Sequence, residues 1–328
     1  MGERERRLGG VLQRLKARIP QRPRPTVLMY HRIADEAFDP WGLSVTPTRF
    51  AEQMRWLRKR RQILPLDEFA NRQRAKMLSD TTIAVTFDDG YACTAITAAP
   101  ILLSMNIPAT IFVAPDLIDT GREFWWDDLQ RIVFTGEVES LNLDGEALEL
   151  GERRDADDQW PPSRPPSTAR QRAFEQIWTK LKQMPPCRLE RTVESFRQQA
   201  GIASEPRETH RLMNAGEMRV LDQATISFGS HSLSHASLPS LPHNEMERDI
   251  RQSVARCEAL AGRPPQTFAY PFGEHSAECE KVVEQTGFAC ACTTEQAAVT
   301  DDVSPFAFPR LHVGDWSVAQ LKRALRLL

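Results

Sequence analysis

Residues 85–91 read Val-Thr-Phe-Asp-Asp-Gly-Tyr and set two carboxylates, Asp88 and Asp89, where an apolar run stops and a glycine begins. Adjacent strand residues point to opposite faces, so such a pair can do two different jobs at one edge. Asp-Asp-Gly is also ordinary turn chemistry, because Asp and Gly favour tight reversals. A second stretch, Gly-Ser-His-Ser-Leu-Ser-His-Ala-Ser-Leu at 229–238, bears on the choice. It follows another apolar run and carries His231 and His235. On a helical turn that spacing puts both imidazoles on one face, as transition-metal sites often require. One carboxylate with two imidazoles makes a three-ligand set that leaves a position for water, the catalytic kind of metal site.

Such residues need a scaffold that brings the ends of distant strands together. Short apolar runs at 26–31, 83–87, 109–114, 226–230, 267–273, 288–293 and 307–313 alternate with helical patterns at 46–61, 93–105, 243–261, 276–286 and 316–328. In the first helix Thr46 is the cap, Pro47 takes the first helical position, and Phe50, Met54 and Leu57 share a stripe. Alternation of this kind argues for parallel β/α units, whose strands end at one rim where active sites are built. The rhythm breaks between about residues 120 and 215, a charged region with Trp-Pro-Pro-Ser-Arg-Pro-Pro-Ser at 160–167. Two helices, near 169–183 and 187–200, are separated by Pro185 and Pro186. Apolar content there reads as too thin for a core. We therefore expect a helical insertion within one domain spanning residues 26–328.

The two motifs together resemble those of the polysaccharide deacetylases, the NodB-homology group or carbohydrate esterase family four. Thr86-Phe87-Asp88-Asp89-Gly90 and His231-Ser232-Leu233-Ser234-His235 match the family's first two motifs, while Ala269-Tyr270-Pro271-Phe272-Gly273 matches the third in part. The resemblance covers most of 26–114 and 216–315. It implies an α/β fold, an irregular, incomplete (β/α) barrel. It also implies that Asp88 is the general base, that Asp89, His231 and His235 hold a divalent cation, and that the backbone N–H of Phe272 faces the oxyanion. Zinc is the default for such an N,N,O set, with cobalt or nickel also suited.

The chain departs from the family pattern where Ala269 replaces an arginine that normally holds the base. Arg310, in Pro-Arg-Leu-His-Val, is the candidate substitute. The family's general acid is a histidine from a short strand; His31, ending Val-Leu-Met-Tyr-His, and His312 both qualify, and His31 is favoured. Trp125 and Trp126 in Phe-Trp-Trp-Asp-Asp offer flat faces for a sugar, or for core packing. Tyr91 and Tyr270 are further candidates for substrate contact.

Composition sets outer bounds. A chain of 328 residues with 41% hydrophobic and 26% charged content has ample material for a core. A net charge of −2 gives no support to nucleic-acid binding. Residues 1–25 carry eight Arg or Lys against Glu3 and Glu5, and Leu8, Val11, Leu12, Leu15 and Ile19 recur at helical spacing. This basic amphipathic segment suits either a solvated arm or an anionic membrane surface. Six cysteines without a CxxC pair read as reduced thiols. No apolar run of export or membrane-spanning type is seen, so the expectation is a cytoplasmic protein, peripheral at the inner membrane face if the segment docks there. The expected activity is N-deacetylation of an amino-sugar glycan or its precursor in surface polysaccharide assembly. An O-acetyl esterase, a deformylase, an amidase or a non-catalytic carbohydrate binder would use the same residues.

Overall fold

A computed structural model describes residues 23–160 and 164–328, so most of the basic N-terminal segment lies outside the described residues. Seven parallel strands form the main path of an eight-stranded central sheet, β1 (Thr26–Tyr30), β2 (Thr82–Phe87), β3 (Ala109–Val113), β4 (Ile226–Ser230), β5 (Thr267–Ala269), β6 (Cys290–Cys292) and β7 (Arg310–His312), and the short strand Gln62–Ile63 pairs with the start of β2 off that path. They run in the order β6-β5-β4-β3-β2-β1-β7. The outer strands then meet, because Phe308, just before β7, bridges Cys292 of β6. Phe308 N–H donates to the Ala291 carbonyl at 2.8 Å and Thr293 N–H donates to the Phe308 carbonyl at 2.9 Å. The sheet is thus a nearly closed, irregular (β/α) barrel, as the alternation and the resemblance imply. Its strands are buried on both faces: every residue of β1 and β2 is inaccessible, the pattern expected when helices cover a parallel sheet.

Register is what the site inherits from this sheet. Tyr30 pairs with Phe87 and Asp88 N–H donates to the Tyr30 carbonyl at 2.9 Å, so His31 and Asp88 leave the sheet side by side. Val113 pairs with Ser230 and His231 N–H donates to the Val113 carbonyl at 2.9 Å, which starts the histidine loop at the same rim. The covering helices follow local rules. Thr46 caps Pro47–Arg60, which buries Phe50, Met54 and Leu57. The expected helix at 93–105 begins instead as a π-turn, Thr94–Ala98, before Ala99–Ser104.

The insertion differs from expectation in one respect. Helices Trp125–Thr135, Ala169–Lys182 and Pro186–Gln199, with the hairpin Ser140–Leu143/Glu146–Glu149, enclose a core of their own around Leu129, Val133, Phe134, Phe174, Leu181 and Phe196. The helix Trp125–Thr135 is rich in apolar residues, and sparser stripes on the other two helices and the hairpin converge on it, which a segment-by-segment reading misses. Arg170 stands inside this unit and donates to the carbonyls of Val133, Val138 and Gly151.

The insertion is fastened to the barrel by a buried arginine. Arg32, fully inaccessible, donates to Asp127 at 2.8 Å, to Asp39 at 3.1 Å and to Ser44 at 3.0 Å. Asp127 sits in the first turn of the first insertion helix. Asp127→Ala leaves a buried guanidinium one carboxylate short, and we expect a loss of about 3 kcal/mol in urea denaturation. Nearby His210 is inaccessible, and burial together with Arg32, Arg207 and Arg131 holds its imidazole far below the ordinary range. The unfolded chain protonates this ring near pH 6.5 and the folded chain does not. The stability this ring contributes is therefore complete above about pH 6.5 and is lost as the pH drops below it. Burial pushes the Asp127 carboxyl up to about 7 and that of Asp128 to about 6, and these act in the opposite sense over the same window. The His210 share is isolated by comparing wild type with His210→Gln: between pH 7.5 and 5.5 the urea midpoint of the wild type should fall relative to that of the variant.

Candidate metal centre and active site

Asp89, His231 and His235 converge on one point. One ligand atom from each lies within 4.8 Å of the others, and all three residues are buried. Asp89 Oδ1 is 3.2 Å from His235 Nε2 and 3.5 Å from His231 Nε2. Nδ1 of His231 lies 2.7 Å from the carbonyl of Ala269, and a proton donated there turns Nε2 toward the cluster, where its own proton points at Asp89 and would be given up to a cation. Burial works to raise the Asp89 carboxyl, but hydrogen bonds from His231 and His235 overcome it and hold the group well below the usual carboxylate range. Two imidazoles and a carboxylate with no fourth protein ligand among the described residues fit a divalent cation with an open position.

The two histidines reach this geometry differently from the expected helical turn. Residues 231–237 form an irregular loop, in which Ser232 (φ 62°) and His235 (φ 59°) are left-handed. Asp249, from the helix His243–Ala261, fixes the loop by accepting from Leu233 N–H at 2.7 Å and Ser234 Oγ at 2.9 Å. Sequence reading did not single out Asp249, since its partners lie on another element and it belongs to neither motif. Asp89 (φ 73°) and Phe272 (φ 58°) are left-handed as well. Thus four of the non-glycine residues in this uncommon region lie at one site, where strain often marks function.

Asp88 is a neighbour of the cluster but not a member. Arg310 grips it with both guanidinium arms, Nη1 to Oδ1 at 2.7 Å and Nη2 to Oδ2 at 2.6 Å, while Nε donates to the Thr293 carbonyl. The arginine absent at Ala269 thus has its spatial counterpart on β7. Burial would raise the Asp88 carboxyl; the Arg310 charge outweighs it and keeps the group below its ordinary value.

His31 lies beside these carboxylates. Burial lowers its pKa, and Asp89 and Asp88 oppose that without reversing it. His312 stands behind, with ring centroids 5.4 Å apart, and burial and then His31 depress it to about 4. Neither Nδ1 of His31 nor Nε2 of His312 has a partner among the described residues. Phe272 lies against the cluster, its ring 4.8 Å from that of His235. Its loop is tied down by Thr294 Oγ1 to the Phe272 carbonyl at 3.2 Å and by Glu274, which accepts from Ser237 and from Lys182 of the insertion, each at 2.6 Å.

Three expected substrate contacts are placed elsewhere. Tyr91 is inaccessible and donates its hydroxyl to Asp127 at 2.7 Å, away from the cluster. Tyr270 is likewise buried, its hydroxyl on the Phe306 carbonyl at 3.0 Å. Trp126 is stacked on Phe124 at 4.1 Å and packs beneath His235, so its faces are covered. Each of these polar aromatics found a buried partner, which sequence position does not disclose. Trp125 alone of the four is half-exposed and lines a cavity of about 1140 Å³ that also touches His235 and Phe272.

Removing Arg310 should leave Asp88 charged, buried and unpaired. Arg310→Ala is expected to lose about 3–5 kcal/mol in urea denaturation. Arg310→Lys keeps the charge without the fork and should fall between; equal stability of all three proteins would show that the pair does not hold the rim.

Comparison with known proteins follows the same lines. The sequence profile of a family described as polysaccharide deacetylase matches residues 75–142 and 202–291, leaving much of the insertion unmatched. YxkH of Bacillus subtilis (strain 168), a provisionally named polysaccharide deacetylase, is 27% identical over 97 residues, 30% of this chain and 35% of that protein. The match therefore spans about a third of that relative's length. Among solved structures, Streptococcus pyogenes deacetylase PplD, in complex with acetate, superposes with a TM-score of 0.60 at 13% identity, covering 92% of this chain and 98% of that one. IcaB from Ammonifex degensii gives 0.54 at 17% identity, covering 93% and 98%. These likenesses are of fold.

Proposed function

Since the chain belongs to the polysaccharide deacetylase family, we propose that it is a metal-dependent hydrolase that removes N-acetyl groups from an amino-sugar-containing glycan or glycan precursor. The observation that carries this reading is a buried carboxylate, Asp88, clamped by Arg310 next to, but outside, the Asp89–His231–His235 cluster. A binding protein has no use for an ionised base beside a metal site. A hydrolase has.

Asp89, His231 and His235 would hold the cation, zinc by donor type, with cobalt or nickel as alternatives. Bound there, such an ion supplies a Lewis acid for the acyl carbonyl and lowers the pKa of water. Asp88, fixed in orientation by Arg310, accepts the proton of the attacking water. The Phe272 backbone N–H, on a loop held by Thr294, Ser237 and Lys182, supports the oxyanion. His31 hands a proton to the departing nitrogen, and His312, behind it, is the reserve candidate. Tetrahedral collapse then gives a free amine and acetate. We place the reaction in surface-polysaccharide assembly, in the cytoplasm, with the basic segment at 1–25 as a peripheral contact for the inner membrane face.

The test combines metal analysis of the purified protein with acetate release from N-acetylated sugar oligomers, with and without chelator. Asp88→Asn should lower turnover by about 10²–10⁴-fold while keeping the metal. Asp89→Asn should lose both. Equal metal loss in the two variants would reverse the roles, and turnover indifferent to chelator would exclude a metal-dependent reaction.

A further inference from the structure

The foot of the barrel carries a dense positive patch in a chain whose acids outnumber its lysines and arginines. Residues 55–61 read Arg-Trp-Leu-Arg-Lys-Arg-Arg and residues 322–326 read Lys-Arg-Ala-Leu-Arg, eight cations without one carboxylate. They lie on the helices Pro47–Arg60 and Val318–Leu327, which pack against each other, and on the residue that follows the first. The one ion pair on either helix among the described residues is Arg49 with Glu52, near the other end of the first. Three of the cations meet at the seam. The Arg61 guanidinium carbon is 5.6 Å and Lys322 Nζ 5.4 Å from the centre of the Trp56 ring. Burial and then the charge of Arg326 lower the pKa of Arg61, and its Nε is buried without an acceptor among the described residues. Gathered like charges repel, and an orphaned guanidinium N–H is costly. An external anion relieves both.

Where the patch lies decides which anion. Arg61 precedes the short strand Gln62–Ile63, and Gln62 pairs with Thr82, the first residue of β2. Asp88 follows the last residue of that strand, which spans about 20 Å. The patch and the metal cluster are therefore at opposite ends of the barrel. Thr26, where β1 starts, pairs with Ile83, so the basic stretch ahead of residue 26 joins the barrel at the foot as well. Leu327, beside Arg326, is 65% exposed. Cations with an apolar side chain among them suit a layer of phosphates above hydrocarbon. A nucleic acid has no such apolar layer, and a net charge of −2 is not that of its usual binders. We propose that the seam between these two helices docks the folded domain on an anionic lipid bilayer, with headgroup phosphates on Arg61, Lys322 and Arg326. This face is separate from the contact assigned to residues 1–25 and does not rest on the hydrolase reading. It turns the metal cluster toward the aqueous side, where a glycan chain reaches it away from the lipid.

The experiment is flotation of the full chain with vesicles of phosphatidylcholine alone or with one-third phosphatidylglycerol. Wild type should bind only the anionic vesicles, and raised salt should release it. Each cation near such a surface is worth about fivefold in affinity, so Arg61→Gln/Lys322→Gln/Arg326→Gln should lose about 100-fold. Arg251→Gln/Arg263→Gln/Lys281→Gln removes as many exposed charges from the helix His243–Ala261, the turn after it and the helix Ala277–Thr286, and should bind as wild type does. Arg61→Lys/Arg326→Lys keeps the charge and should keep most of the binding, which separates charge from packing, and thermal melts verify that the variants fold. Full binding by the seam triple, an equal loss in both triples, a loss in the lysine variant as deep as in the seam triple, or no binding of anionic vesicles by the wild type would each overturn the proposal. So would tighter binding to a DNA duplex than to the vesicles, lost in the seam triple, since that assigns the patch to nucleic acid.

Discussion

Two carboxylates adjacent in sequence and both inaccessible to solvent repel each other and lose hydration together, so the site exists only because each has its own counter-charge. Arg310 supplies one of them, with a bidentate grip on Asp88 and its third arm on the Thr293 carbonyl. The other must come from the imidazoles, and from a cation if they hold one, around Asp89. The left-handed backbone at Asp89 allows the split, because it turns the second side chain away from the direction of the first. A guanidinium on β7 can act at the end of β2 because β1 lies between them in register, pairing with β7 on one side and β2 on the other. Barrel closure and site electrostatics are thus one arrangement.

The insertion belongs to the site in the same sense. Its first helix contributes Asp127 to the buried Arg32, its second contributes Lys182 to Glu274 on the Phe272 loop, and both line the large cavity. Arg32 directly follows His31, so the joint that fastens the insertion also fixes the chain beside the candidate acid. With Arg170 bonded to carbonyls at its centre, the insertion is a small folded unit and not a loop.

How much of this was legible in the sequence depended on range. Strand ends, the Thr46 cap, and two of the insertion's helices were readable because their signals are local, whereas the helix Trp125–Thr135 was not foreseen. The convergence of Asp89, His231 and His235 was readable because parallel β/α units share a rim, even though the supposed helical turn is an irregular loop. Arg310 as partner of Asp88 was reachable once Ala269 left a gap in the motif. Tyr91, Tyr270 and Trp126 misled, since an aromatic with a polar tip looks alike whether it meets substrate or a buried Asp127 or carbonyl. Asp249 was not legible at all, since its work is to hold a loop 15 residues away.

The strained loops complete the physical argument. A left-handed conformation at a non-glycine residue costs roughly 1–3 kcal/mol and persists only where its surroundings over-determine it. Ser232 and His235 are held through the Ser232 hydroxyl, which accepts from His235 N–H at 3.0 Å, and through Asp249. Phe272 is held by Thr294, and Gly273 beside it has no room for a side chain, since a Cβ there would lie 2.6 Å from the Thr294 nitrogen. The rim is therefore rigid before any ligand arrives. Groups that need no rearrangement as charge develops are those that stabilise a transition state most, and this explains why strain is tolerated at the strand ends where Asp89, His235 and Phe272 meet.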